Sequence, residues 1–187
     1  MPSLNLIDPS ENMSKYVWGG DVTTLNTDII RQYIADFKDK KLEQHLKSAP
    51  IPEAHEGVQV LVGKNHDQIV KDETKDVLVK YYAPWCGHCK ALAPHWDQIG
   101  DDVNDIPDLI IAKFDATENE VSGLEVRGYP TLKWFPKGNK EGIDYDGERE
   151  FDGIKKWISE NSEVYKAARG EPAQVDAAAA VDKSEEL

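Results

Sequence analysis

The chain contains two cysteines, and they stand three positions apart in Trp85-Cys86-Gly87-His88-Cys89-Lys90. Two thiols at this spacing can close a small disulfide on themselves, hold half of a metal site, or act as a redox reagent. Their place in the chain decides among these. They follow a nearly unbroken β-branched and aromatic run, Val77 to Ala83, and open a stretch that reads as helix. At a helix start, unpaired amides and the positive end of the helix dipole favour an anion, so the Cys86 thiolate is expected to be stabilised and its pKa to fall. His88 adds a group that can be cationic near neutral pH. A stabilised thiolate favours the reduced form, and a bridge over only two residues is easily reduced, so the couple is expected to be an oxidant. Cys86 is expected to be the exposed, attacking sulfur, and Cys89, one turn deeper, the resolving one.

Zinc would need four ligands. The sequence offers no second cysteine pair and only five scattered histidines, His45, His55, His66, His88 and His95, so no metal is expected. A purely structural disulfide of this size would restrain very little chain.

The pair must be held by a fold, and composition bounds which one. The chain has 187 residues with 35 acidic and 22 basic side chains, a formal charge of −13. That field repels phosphate and argues against nucleic acid. No apolar run approaches the roughly 20 residues of a membrane span, and two cysteines are too few for a disulfide scaffold. A soluble globular chain remains, with one complete domain and a remainder.

The remainder comes first. Leu4 to Ile7 and Lys15 to Trp18 read as extended pieces, followed by a Gly19-Gly20-Asp21 turn and a helix from Asp28 to about Leu46 capped by Asn26 or Thr27, with Ile29, Ile30, Tyr33, Ile34 and Phe37 on one face. Residues 1–48 are too little to close a core alone and read as the end of a domain. The opening residues lack a cationic region before a long apolar stretch, so they do not read as a secretory signal peptide. Residues 49–57, with Pro50 and Pro52, read as a semi-rigid linker.

A new pattern then starts: strand Val58 to Val62, helix His66 to Glu73, strand Val77 to Ala83, helix Lys90 to Val103 interrupted by Pro94, strand Leu109 to Phe114, and a short helix Glu118 to Leu124. Strands Thr131 to Phe135 and Ile143 to Tyr145 follow, then a last helix from about Phe151 to Asn161. This alternation indicates an α/β domain over 58–165, with a mixed central sheet flanked by helices on both faces. Residues 166–187, rich in Ala and acids, read as a disordered tail.

Tyr81-Tyr82-Ala83-Pro84-Trp85-Cys86-Gly87-His88-Cys89-Lys90-Ala91-Leu92-Ala93-Pro94, with Ala112-Lys113-Phe114-Asp115-Ala116-Thr117 and Val126-Arg127-Gly128-Tyr129-Pro130-Thr131-Leu132, resembles a catalytic thioredoxin-like domain of the protein disulfide isomerase family. The resemblance covers about residues 58–162. It implies a thioredoxin fold, preceded in 1–48 by part of a non-catalytic thioredoxin-like domain. It also implies a thiol-disulfide oxidoreductase and isomerase centred on Cys86-Gly87-His88-Cys89. The substrates would be unfolded or misfolded proteins with thiols or disulfides. An oxidase or glutathione would recharge the pair, no cofactor would be needed, and the setting would be the endoplasmic reticulum lumen. By the same resemblance Tyr129 and Pro130 form a cis-proline loop that meets the substrate backbone. Arg127 is similar to an arginine that swings toward the resolving cysteine, Pro94 kinks the active-site helix, and Trp85 is an exposed substrate contact.

One position departs from the family pattern. A buried glutamate is usual where this chain has Lys80, opposite the lysine matched by Lys113. Two facing lysines in a partly buried site should lower each other's pKa. A neutral Lys80 amine could accept the proton of Cys89; alternatively Lys80 reaches out to solvent and proton transfer slows. Ser184-Glu185-Glu186-Leu187 resembles a degenerate retrieval signal of the endoplasmic reticulum, and Asn12-Met13-Ser14 is a glycosylation triplet.

Overall fold

Along Asp76–Tyr82 (β4) side chains alternate between two faces, and both faces are covered. Leu78 joins an apolar cluster with Leu92, Trp96 and Ile99, whereas Val77, Val79 and Tyr81 join another with Leu61, Val70 and Phe114. A strand buried on both sides reads as an unbroken apolar run, as this one does. The computed structural model describes residues 4–10, 14–53 and 57–170.

Five strands build the central sheet in the order β3-β5-β4-β6-β7, with β3 Gln59–Leu61, β5 Leu109–Asp115, β6 Thr131–Phe135 and β7 Ile143–Asp144. β3, β5 and β4 are parallel, and β6 and β7 run antiparallel, which makes the sheet mixed as expected. α3 (Gly87–Asp102), α4 (Phe151–Asn161) and α5 (Glu163–Arg169) cover one face; α2 (His66–Val70) and the segment around Val121 to Val126 cover the other. Trp96 is pinned to the sheet by its indole N–H, which donates to the Ala112 carbonyl at 3.1 Å. Among the described residues no helix is long and apolar enough to cross a membrane.

Ahead of this sheet, β1 (Asn5–Asp8) and β2 (Ser14–Val17) form an antiparallel hairpin, followed by α1 (Thr27–Lys38). Asn26 caps α1 through its side chain, and Tyr16 packs edge-on against Phe37 at 5.1 Å.

Several elements differ from the sequence reading. α1 stops at Lys38, eight residues short of Leu46, because Lys40 takes a left-handed φ of 55° and its amide closes on Phe37. Residues beyond it become a strap. His45 N–H donates to the Lys15 carbonyl, Lys47 exchanges bonds with Glu120, and Ala49 N–H donates to Asn119 Oδ1 at 2.8 Å. Those partners lie far away in sequence and leave no local periodicity. The expected helix Glu118 to Leu124 is instead a turn: Asp115 Oδ1 takes the Thr117 amide and hydroxyl, Asn119 reaches back to the Asp115 carbonyl, and Gly123 sits at φ 75°. α2 ends at Val70 and not Glu73, where the Asp72 side chain takes the Thr74 amide into a turn. Finally, α5 runs to Arg169 where the tail was expected to begin at 166, since the Ser162 hydroxyl caps it and Arg169 pairs with Asp105. Asn12 and Met13 of the glycosylation triplet and residues 171–187, including the terminal tetrapeptide, lie outside the described residues.

Candidate active site

α3 begins at Gly87, three residues before the apolar period places it, because Cys86 serves as its N-cap. The Cys86 sulfur takes the position an Asp or Ser oxygen usually holds and accepts the Cys89 amide at 3.3 Å. Its thiol donates to the Tyr129 carbonyl at 3.4 Å, and the Tyr129–Pro130 peptide is cis. The loop before β6 and the start of α3 therefore meet at one sulfur. Both cysteines are free thiols.

The two sulfurs are pushed in opposite directions. Hydrogen bonding from Cys89, aided by the Cys89 and His88 backbone amides and the Arg149 guanidinium, holds Cys86 below the ordinary thiol value. Burial raises Cys89 to about 11, helped by its place beside Cys86 and opposed by Lys80. The Cys86 thiol is thus the more readily ionised of the two.

Cys86 is less open than expected: it is 7% exposed, against 4% for Cys89. Trp85 beside it is 72% exposed and meets the Tyr129 ring edge-to-face at 5.8 Å. Together they make an apolar shelf next to Cys86. The His88 ring lies in solvent, and this residue acts on Cys86 through its backbone amide. A side chain at Gly87 would meet nothing within 4 Å. Arg127 is held in solvent by a two-pronged pair with Glu125, both contacts at 3.0 Å, so the structure does not bring it to Cys89.

Lys80 faces α3 from β4, with Lys113 directly opposite it on β5. It is 3% exposed and does not reach out to solvent. Its ammonium lies 5.5 Å from the Trp96 ring centre and 5.8 Å from that of Tyr82. Burial lowers Lys80 to about 8; Asp97 opposes that shift and Lys113 adds to it. Lys80, Cys89, Asp97 and Lys113 share a cavity of about 160 Å³.

Two of these groups escape a reading of the sequence. Asp97 stands eight residues after Cys89 on α3, a spacing that returns to the same helix face and is its only signal. Arg149, which also contributes to the cavity of about 590 Å³ containing Pro130, follows β7 with no local sign of its role. Among the described residues no group of histidine, cysteine and carboxylate side chains could hold a metal ion.

Comparison with known proteins places the chain in a family. The chain is 42% identical over 170 residues to a protein disulfide-isomerase of Gallus gallus, covering 89% of this chain and 33% of that one. It is 44% identical over 160 residues to the protein disulfide-isomerase of Oryctolagus cuniculus, covering 84% and 31%. It is 47% identical over 150 residues to that of Humicola insolens, covering 78% and 29%. The chain thus spans about a third of the length of these relatives. Residues 57–160, which contain the sheet, the cysteine pair and the cis-proline loop, match the Thioredoxin family, and the chain belongs to it.

Proposed function

We propose that this chain carries a catalytic unit of a protein disulfide isomerase, with Cys86 as nucleophile and Cys89 as resolving thiol. The observation that carries the reading is the Cys86 sulfur at the N-cap of α3, accepting the Cys89 amide at 3.3 Å. In oxidation, a substrate thiolate attacks the Cys86–Cys89 disulfide at Cys86 and expels Cys89. A second substrate thiolate then attacks the substrate sulfur of the mixed disulfide and expels Cys86, so the substrate loses two electrons and the cysteine pair gains them. In isomerisation, the Cys86 thiolate opens a wrong substrate disulfide, and a substrate thiolate later displaces it with no net redox change.

When rearrangement stalls, Cys89 must lose its proton and attack Cys86. We assign the acceptor to the neutral Lys80 amine, with Lys113 holding down its proton affinity. Trp85 and Tyr129 offer unfolded chains an apolar surface, and Pro130 closes the loop over Cys86. Arg127 would have to leave Glu125 before reaching Cys89. The substrates are folding proteins with thiols or disulfides, recharging falls to an oxidase or glutathione, and an oxidising compartment such as the endoplasmic reticulum lumen suits the chemistry. Residues 1–48 belong on this reading to a preceding thioredoxin-like unit, 49–57 to a linker, and 58 onward to the catalytic domain, with α5 as its last helix.

Reactivation of a protein with scrambled disulfides tests this. Cys86→Ala should abolish it, and Cys89→Ala should accumulate mixed disulfides. Unchanged reactivation by Cys86→Ala would leave a binding module without redox chemistry. A reduction potential near the thioredoxin figure of about −270 mV would instead make the chain a reductase.

A further inference from the structure

Cys89, Ala93 and Asp97 recur every four residues along one stripe of α3, and that stripe overlies the place where Lys80 of β4 and Lys113 of β5 stand side by side. Beneath the stripe lies the cavity of about 160 Å³, lined by Ala93 among others. Cys89 and Asp97 both line it, and Asp97 is exposed to solvent. Lys80 enters from the sheet with its ammonium near the rings of Trp96 and Tyr82. The titratable and charged groups around it are Asp97, Cys89 and Lys90 from α3, Lys113 from β5 and Tyr82 from its own strand. Asp97 is the one carboxylate lining this cavity.

We propose that Asp97 is a positioning residue for the resolving step: its carboxylate at the cavity mouth keeps the Lys80 amine basic enough to take the proton of Cys89. This rests on Lys80 being the acceptor. The step balances as thiol plus amine giving thiolate plus ammonium. The Cys89 thiolate then forms the bond to Cys86, and the substrate leaves as thiolate. The Lys80 ammonium returns its proton to the departing sulfur or to solvent. Asp97 does not touch the thiol; it stabilises the ammonium that the transfer creates. Asp97 pulls Lys80 toward its charged form, against burial and Lys113. Without it, burial and Lys113 would both drive the amine toward its neutral form and weaken it as an acceptor.

The experiment is a titration of the Lys80 side chain by NMR in the full chain, paired with the pH profile for release of a mixed disulfide. Asp97→Asn should move the Lys80 midpoint to lower pH by about half a unit to one unit, shift the release profile the same way and slow release several-fold on its high-pH plateau, where the amine is already neutral and only its basicity counts. Asp97→Glu should restore all three, which a merely structural role would not predict for the midpoint. A Lys80 midpoint unmoved by Asp97→Asn, while Lys80→Met still removes the pH dependence of release, overturns the role of Asp97 alone. A release profile untouched by Lys80→Met overturns the acceptor reading and this inference with it.

Discussion

Asp76 Oδ2 accepts a hydrogen bond of 2.5 Å from the Ser162 hydroxyl, joining the first residue of β4 to the N-cap of α5 across 86 positions of sequence. Asp76 Oδ1 accepts the Lys137 amide at 2.6 Å, and the Asp76 amide donates to the Asp108 carbonyl at 2.8 Å. One buried carboxylate therefore closes the sheet end, the turn after β6 and the last helix together.

Asp76→Ala leaves the Ser162 hydroxyl proton and the Lys137 amide without their acceptor. A loss of about 2–4 kcal/mol is expected, because removing one partner exposes the remaining group's full desolvation cost. Ser162→Ala should cost about 1–3 kcal/mol, since it removes a cap and an Asp76 partner. Denaturant unfolding measures both, and unchanged midpoints would mean that the contact adds no stability.

His66 sets a pH dependence of stability. Its Nε2 lies 2.8 Å from the Tyr81 hydroxyl and its Nδ1 lies 2.9 Å from Asp67, an arrangement that a neutral ring protonated on Nδ1 satisfies. Burial lowers its pKa below 6.5, against the pull of Asp67. As pH falls below 6.5 the unfolded chain takes a proton that the folded ring refuses, so stability drops with acidification and levels off below the folded pKa. Comparing unfolding at pH 7 and pH 5 should show a shallower slope in His66→Gln than in the parent chain. Equal slopes would show that the ring takes its proton as readily inside as outside.

Lys80 should set stability against turnover. A pKa lowered from 10.5 to about 8 corresponds to about 3 kcal/mol of cost while the amine is charged. The sign is that of a depressed cation: between pH 8 and 10.5 the unfolded chain holds more protons, so this cost is present below pH 8 and relieved as pH rises through that window. Lys80→Met should thus stabilise the fold by about 1–3 kcal/mol at pH 7 while slowing mixed-disulfide release. A destabilised Lys80→Met would show that the ammonium has partners strong enough to offset its burial.

Gly63 holds the strap. A methyl group there would stand 2.7 Å from the Lys47 carbonyl and 2.9 Å from the Glu120 carbonyl, both backbone atoms. Gly63→Ala should push the strap away and speed amide exchange at Lys47 and Ala49, with the alkylation rate of Cys86 unchanged. Asn119→Ala, which removes the acceptor shared by Ala49 and Gly63, should give the same exchange pattern.

Legibility in the sequence follows the range of the interactions. The Val77 to Ala83 run and the Phe151–Asn161 helix carry their patterns locally, and the structure places both within a residue of expectation. The cysteine motif is likewise local, and its position at a helix start can be read from the run before it. The strap from Leu42 to Ala49 cannot be read this way, because its partners are Lys15, Asn119 and Glu120. The turn at residues 117–120 is settled by side-chain bonds of Asp115 and Asn119, which override helix propensity. Asp97 gains meaning only when α3 is laid over β4, since nothing near it in sequence is catalytic.

Trp96 is fully buried, fixed by its bond to Ala112, and has the Lys80 ammonium 5.5 Å from its ring centre. A rigid indole beside one titrating charge is an optical voltmeter. The electric field across the ring should step when Lys80 gives up its proton, and the emission colour of Trp96 should step with it. The chain thus carries its own indicator of the protonation of Lys80.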